Sequence, residues 1–196
     1  MPIQRKYEPE GWSVPGYQRH KWEDENKIIV IGIGKVSEDE RRLISRYVRK
    51  LLDQLSLPVE VEVSASESYL TNLMEQVIAS CLVQGKIDSD CVLKRLNQER
   101  EKDINLRPAI IVKVNKSDYR IAKPPGEEKE PIYGIGEEDG LVILRVALEK
   151  AVRHEIGHML GINSHCQESP NCVMKYECPS KNFCKSCEAK LKRLWC

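Results

Sequence analysis

In the run HEIGH, His154 and His158 stand four residues apart, with Glu155 beside the first. On an α-helix that spacing puts both imidazoles on one face, one turn apart, where they can reach a single ion. Glu155 is angled to the side, able to deprotonate a metal-held water without being a ligand. Gly161 can end the helix in a left-handed turn and send the chain back. His165 arrives soon after that turn as a third nitrogen ligand. Three neutral imidazoles with an open fourth position describe a catalytic zinc rather than a structural one, because only an open position admits water and substrate. The chemistry this implies is hydrolysis, with a zinc-activated water as nucleophile and Glu155 as general base that passes the proton to the leaving amine.

Sulfur supplies the second signal. Six of the eight cysteines fall between Cys166 and Cys196, and Cys184 and Cys187 form a CxxC pair. Such a pair plus two more thiols within about twenty residues suits a tetrahedral zinc. His165 and Cys166 are adjacent, so the two sites interleave. Cys81 and Cys91 lie apart from the cluster and are expected to be free thiols, and Cys196 a bystander.

The run from His154 to Cys187 resembles that of the archaemetzincins, metzincin-type zinc peptidases with the pattern HExxHxxGxxHCx4CxM followed by a CxxC. The resemblance puts the catalytic zinc on His154, His158 and His165, the general base on Glu155 and the Met-turn methionine, an apolar floor beneath the histidines, on Met174. It puts a structural zinc on Cys166, Cys172, Cys184 and Cys187, two zinc ions per chain in all. Tyr176 falls where some metzincins place a tyrosine that stabilises the charged intermediate. The chain departs from the pattern by one extra residue between Gly161 and His165, one extra between Cys166 and Cys172, and a shortened interval from Met174 to Cys184. Cys178 lies in that interval and could replace one of the four thiolates.

The elements that must position these residues follow from periodicity and capping. Lys27 to Val36 is a nearly continuous β-branched run, suited to a central strand covered on both faces; its Gly32–Gly34 pair lacks the third glycine of a dinucleotide fingerprint. Ser37 with Glu40 forms a capping box, and the apolar stripe Leu43, Ile44, Tyr47, Val48, Leu51, Leu52, Leu55 predicts a helix. Val59 to Val63 alternates as a strand with one wet face. Ser68 to Val83 and Asp88 to Ile104 are expected as helices separated by Gly85, although the first could contain a strand. Pro108 to Val114 is a strand, and Lys116 to Glu130, rich in Lys, Pro and Glu, a mobile loop. Ile132 to Ile135 and Leu141 to Val146 are short strands joined by the GEEDG turn. The active-site helix follows from Leu148, with Leu148, Val152, Ile156 and Met159 as its core stripe.

The resemblance implies an α/β (α+β) metzincin-like fold: a mixed twisted sheet of about five strands, an active-site helix and a small Cys-rich, zinc-bound C-terminal subdomain. Its expected divisions are an irregular segment 1–26 holding Trp12, Trp22 and an isolated His20, a subdomain 27–161, and a subdomain 162–196 with the third histidine, the Met-turn and the thiolates. In that fold the penultimate strand, here Ile132, Tyr133, Gly134 and Ile135, forms the sheet edge over the cleft, where an extended peptide can add as a further strand. Aminopeptidase-like activity is associated with the family.

Composition bounds the partners. Thirty-one basic and 30 acidic residues leave a net charge of +1, no electrostatic reason to expect nucleic acid or an anionic membrane. The N-terminal residues have no apolar signal core and no stretch of about 18 apolar residues occurs, so a cytoplasmic monomer acting on peptides or proteins is expected. The competing reading is a non-catalytic, zinc-stabilised peptide- or protein-binding module, a degenerate metzincin.

Overall fold

A computed structural model describes residues 25–115, 120–121, 133–175 and 178–195. The expectations for segment 1–24, for most of loop 116–130, and for Ile132, Tyr176 and Cys196 lie outside the described residues.

The β-branched run forms strand β1 (Lys27–Gly34), and the Ser37 capping box starts helix α1 (Glu38–Gln54), with both reciprocal hydrogen bonds made. Strand β2 (Glu60–Val63) follows, then helix α2 (Tyr69–Ser80). The two-residue strands β3 (Leu82–Val83) and β4 (Lys86–Ile87) form a hairpin. Its turn residues Gln84 and Gly85 both have positive φ, 52° and 72°, which matches the twist of the flanking strands. The helix expected over Ser68 to Val83 therefore ends early, because two apolar residues beside a turn signal pair better as a strand. Helix α3 (Ser89–Arg100) comes next, and the helix expected to reach Ile104 stops at Arg100, Ile104–Leu106 being a separate 3-10 turn. Strand β5 (Ala109–Asn115) is followed by strand β6 (Arg120–Ile121), inside the segment expected to be loop, which pairs in parallel with β4. Strands β7 (Gly134–Glu137) and β8 (Leu141–Leu144) lead into helix α4 (Glu149–Met159), and helix α5 (Lys185–Trp195) ends the chain.

The main sheet has the order β2-β1-β5-β8-β7. Its first four strands are parallel, and β7 pairs antiparallel with β8 at the edge. Alternation along the strands feeds two cores. Ile28, Val30, Ala109, Ile111, Val142 and Leu144 face α1, α4 and the C-terminal segment. Ile29, Ile31, Ile33, Ile110, Val112 and Ile143 face α2 and α3. Sandwiching the sheet between helices is what near-continuous apolar strands require. Among the described residues no helix is long and apolar enough to cross a membrane.

Three sequence expectations are corrected. Leu148 caps α4 without a side-chain bond and is 58% exposed, so it does not belong to the core stripe, whereas Val152, Ile156 and Met159 are fully buried. Helix α5 was unforeseen, although Cys187, Leu191, Leu194 and Trp195 recur at helical spacing and are buried; the Trp195 indole Nε1–H donates to the Leu160 carbonyl at 2.8 Å and ties α5 to the end of α4. Cys81 and Cys91 are not free thiols but a disulfide. The β3–β4 hairpin folds the end of α2 back onto the first turn of α3 and brings their Cα atoms to 5.6 Å. Closing a loop of that size stabilises by on the order of 2–4 kcal/mol. Cys81→Ser is therefore expected to lower the urea-unfolding free energy by about that amount; a loss below about 0.5 kcal/mol would show that the bond does not form in solution.

Candidate metal centres

Helix α4 carries the HEIGH run on its buried face because Val152, Ile156 and Met159 fix its rotation against the sheet. The helix ends as Gly161 predicts. Gly161 has φ 106°, its N–H donates to His158 O at 2.8 Å, and the Ile162 N–H donates to Gly157 O at 2.9 Å. This is the paired-bond stop that a left-handed glycine permits. The same turn folds the Ile162 carbonyl back onto His158, whose Nδ1 it meets at 2.6 Å. His154 Nδ1 meets the Val173 carbonyl at 2.7 Å.

A neutral imidazole that faces a carbonyl through Nδ1 carries its proton there and turns Nε2 toward a metal. The two Nε2 atoms are 3.2 Å apart. Zinc–nitrogen bonds of about 2.0–2.1 Å put two tetrahedral ligands roughly 3.3 Å apart, so the spacing fits a shared ion. His165 completes the group, its ring 5.2 Å from His154 and 5.3 Å from His158, with ligand atoms of all three within 4.8 Å of one another. The extra residue before His165 is absorbed in the turn. Burial, and after it the neighbouring His154, pushes the His158 pKa down to about 3, so this ring is neutral at any moderate pH.

Glu155 is 7% exposed. Burial first, then the Glu137 carboxylate, raises its pKa to about 8, and the Gly136 N–H that donates to it opposes the rise. Strand β7 comes this close because its facing residues are glycines. A Cβ at Gly136 would lie 2.1 Å from the Glu155 carbonyl oxygen, and one at Gly134 would lie 2.7 Å from Glu155 Cγ. The expected edge strand is thus displaced by two residues, to Gly134–Glu137, with Tyr133 just before it; the Tyr133 carbonyl still accepts from the Arg145 N–H at 2.8 Å. In antiparallel alternation the main-chain groups of Gly134 and Gly136 then point away from β8, toward the free edge.

Met174, expected beneath the histidines, packs against α4 at Gly157. It is fully buried, and a Cβ at Gly157 would lie 2.4 Å from its sulfur. Gly157, Gly136 and the carbonyls of Val173 and Ile162 give no signal of their own in the sequence, and Gly134 is expected there only as part of the substrate edge, not as the residue that lets β7 approach Glu155.

The second group is Cys166, Cys172, Cys184 and Cys187, whose sulfur atoms lie within 4.8 Å of one another. Cys166 and Cys184 sulfurs are 3.7 Å apart, and the Cys184 N–H donates to Cys172 Sγ at 3.3 Å. Cys178 is buried but outside this group; its sulfur accepts from the Ser180 N–H at 3.2 Å. Burial pushes the Cys172 and Cys187 thiols up, while the Ser169 and Glu168 N–H groups hold Cys166 below its ordinary range against its own desolvation. Four sulfurs so close cannot all ionise without a cation among them, and a coordinated thiol is deprotonated outright. Both donor sets therefore fit zinc. The loop between them is held to α4 by Glu149, which pairs with Lys181 at 2.9 Å and Arg153 at 3.2 Å.

Residues 50–193 match the sequence profile described as peptidase family M54. The chain belongs to peptidase family M54. It is a metallopeptidase, a hydrolase that acts on peptides or proteins and uses zinc. The archaemetzincin of Methanopyrus kandleri, known from a crystal structure, has a similar fold, with a TM-score of 0.55 and 19% identity over 85% of this chain and 93% of that one. Comparison with curated proteins gives no sequence match.

Packing of Met174 against Gly157 makes a prediction for this M54 peptidase. Gly157→Ala should cost about 1–3 kcal/mol of unfolding free energy through overpacking. In a Met174→Ala background, where the sulfur is gone, the added methyl should cost much less; equal costs in both backgrounds would contradict the contact.

Proposed function

We propose that this chain hydrolyses peptide bonds at the three-imidazole centre, with Glu155 as general base and a second, structural zinc on Cys166, Cys172, Cys184 and Cys187. The observation that carries the reading is the convergence of His154, His158 and His165, with the Nε2 atoms of the first two 3.2 Å apart, ligand atoms of all three within 4.8 Å of one another and Glu155 buried beside them.

A zinc ion held by His154, His158 and His165 supplies Lewis acidity toward a peptide carbonyl and toward water. The work of this chain's own residues can be stated separately. Val173 and Ile162 hold the two helix imidazoles through Nδ1 and so turn their Nε2 atoms toward the metal position. Glu155 takes a proton from the attacking water and delivers it to the leaving amine. Its raised pKa suits the second half of that task, since a carboxyl near 8 retains a proton long enough to transfer it, and nearby positive charge favours the ionised form needed for the first half. Substrate main chain pairs with the outward groups of β7, the N–H and carbonyl of Gly134 and the carbonyl of Gly136, where the absence of side chains lets an extended peptide lie close to Glu155. Tyr176 is assigned the stabilisation of the tetrahedral oxyanion. Aminopeptidase-like cleavage, a cytoplasmic location and a monomeric state complete the proposal.

The decisive variant is Glu155→Gln. It keeps size and burial, so zinc content should match wild type while kcat on a peptide mixture, read by mass spectrometry, falls by at least about 100-fold, the lower range for a general base. Turnover within a few-fold of wild type would remove Glu155 from the mechanism and favour the reading as a binding module.

A further inference from the structure

The two centres share one segment of chain. Cys172, Val173 and Met174 are consecutive, and each has a different partner: Cys172 is in the sulfur group, the Val173 carbonyl accepts from His154 Nδ1 at 2.7 Å, and Met174 packs beneath Gly157. Two further main-chain bonds tie the segment to distant parts of the loop, Val173 N–H to Asn182 O at 2.8 Å and Cys166 N–H to Met174 O at 2.9 Å. Both of those partners lie on the cysteine-bearing loop as well. His165 is covalently joined to Cys166. So the acceptor that orients His154 and the backbone that presents His165 are each one residue from a sulfur ligand. His158 differs, since its acceptor Ile162 belongs to the turn that ends α4.

From this asymmetry we propose that the four-thiolate centre governs the metal affinity of the three-imidazole centre, so that the chain loads sulfur first and imidazole second. The proposal rests on the reading that both groups hold metal. The physical cause is local order. Without a metal the 166–184 loop loses its strongest cross-link, and the Val173 carbonyl is no longer fixed against His154. Loss of an outer hydrogen-bond partner of a metal ligand lowers affinity roughly 10–100-fold. Linkage makes the effect reciprocal, because metal at the imidazoles raises affinity at the sulfurs by the same factor.

Cobalt(II) reports both sites separately, as thiolate-to-metal charge transfer in the near ultraviolet and as weak visible bands from nitrogen and oxygen ligation. Titration of the metal-free full chain, under a non-chelating phosphine reductant, should saturate the ultraviolet bands before the bands of the imidazole site appear. In Cys187→Ser, a change on α5 that alters none of residues 165–166 or 172–174, imidazole-site affinity should fall roughly 10–100-fold although all three histidines remain. Cys187→His, which restores a fourth ligand, should recover it. Imidazole-site affinity within two-fold of wild type in Cys187→Ser, or imidazole bands that saturate first in the wild type, would overturn the proposal. The loading order decides the matter alone if the serine variant does not fold. A wild-type chain that takes cobalt at sulfur but never at imidazole would overturn the reading beneath it, a different failure from unchanged affinity in the variant.

Discussion

Two imidazoles are held with their Nε2 atoms 3.2 Å apart, and keeping them there constrains the elements on every side. Both rings are pinned from behind through Nδ1, His154 on the Val173 carbonyl and His158 on the Ile162 carbonyl, so that both Nε2 atoms face one point, where a cation would be held. Much of the architecture follows from meeting that constraint. The paired-bond stop at Gly161 is what folds the Ile162 carbonyl under His158, and the thiolate-bearing loop is what presents the Val173 carbonyl to His154. The centre is therefore built by main-chain acceptors from two different places in the fold.

The sheet supplies the second feature, a buried carboxylate and an outer strand edge beside the same helix. Strand β7 stands at the antiparallel edge of an otherwise parallel sheet, and its two facing glycines let it press against α4 at Glu155. Depth does the rest. Burial keeps His158 neutral and raises Glu155, both in the direction that metal binding and proton transfer need. The C-terminal helix closes the arrangement from below through Trp195 on Leu160.

Most of this was legible in the sequence where one residue type has one physical use. The capping box at Ser37 and Glu40, the helical spacing of His154 and His158, the glycine stop and the sulfur cluster all stand where local rules put them. The fold class came from the resemblance carried by the run from His154 to Cys187, and the sheet order β2-β1-β5-β8-β7 agrees with it. Reading failed where the deciding contact is distant in sequence. Nothing local says that Cys81 meets Cys91, since that depends on a short hairpin folding one helix back on the next. Leu148 fits the apolar stripe by spacing, yet it precedes the first helical turn and points outward. Helix α5 is absent from the sequence expectations, although Leu191, Leu194 and Trp195 fall at helical spacing, because what fixes its place is the docking of Trp195 on Leu160, 35 residues away. The extra residue before His165 broke the motif pattern without moving the ring away, because a surface turn can absorb one residue where a helix cannot.

The central claim is that two metal centres, one of nitrogen and one of sulfur, are built into a single chain around a shared segment. Anomalous diffraction on either side of the zinc absorption edge, from crystals grown near neutral pH with zinc, tests it most directly. The account predicts two peaks per chain, one about 2.0–2.1 Å from Nε2 of His154, His158 and His165, and one about 2.3 Å from the sulfurs of Cys166, Cys172, Cys184 and Cys187. A single peak at the sulfurs, or a nitrogen-bound ion held through Nδ1, would contradict it.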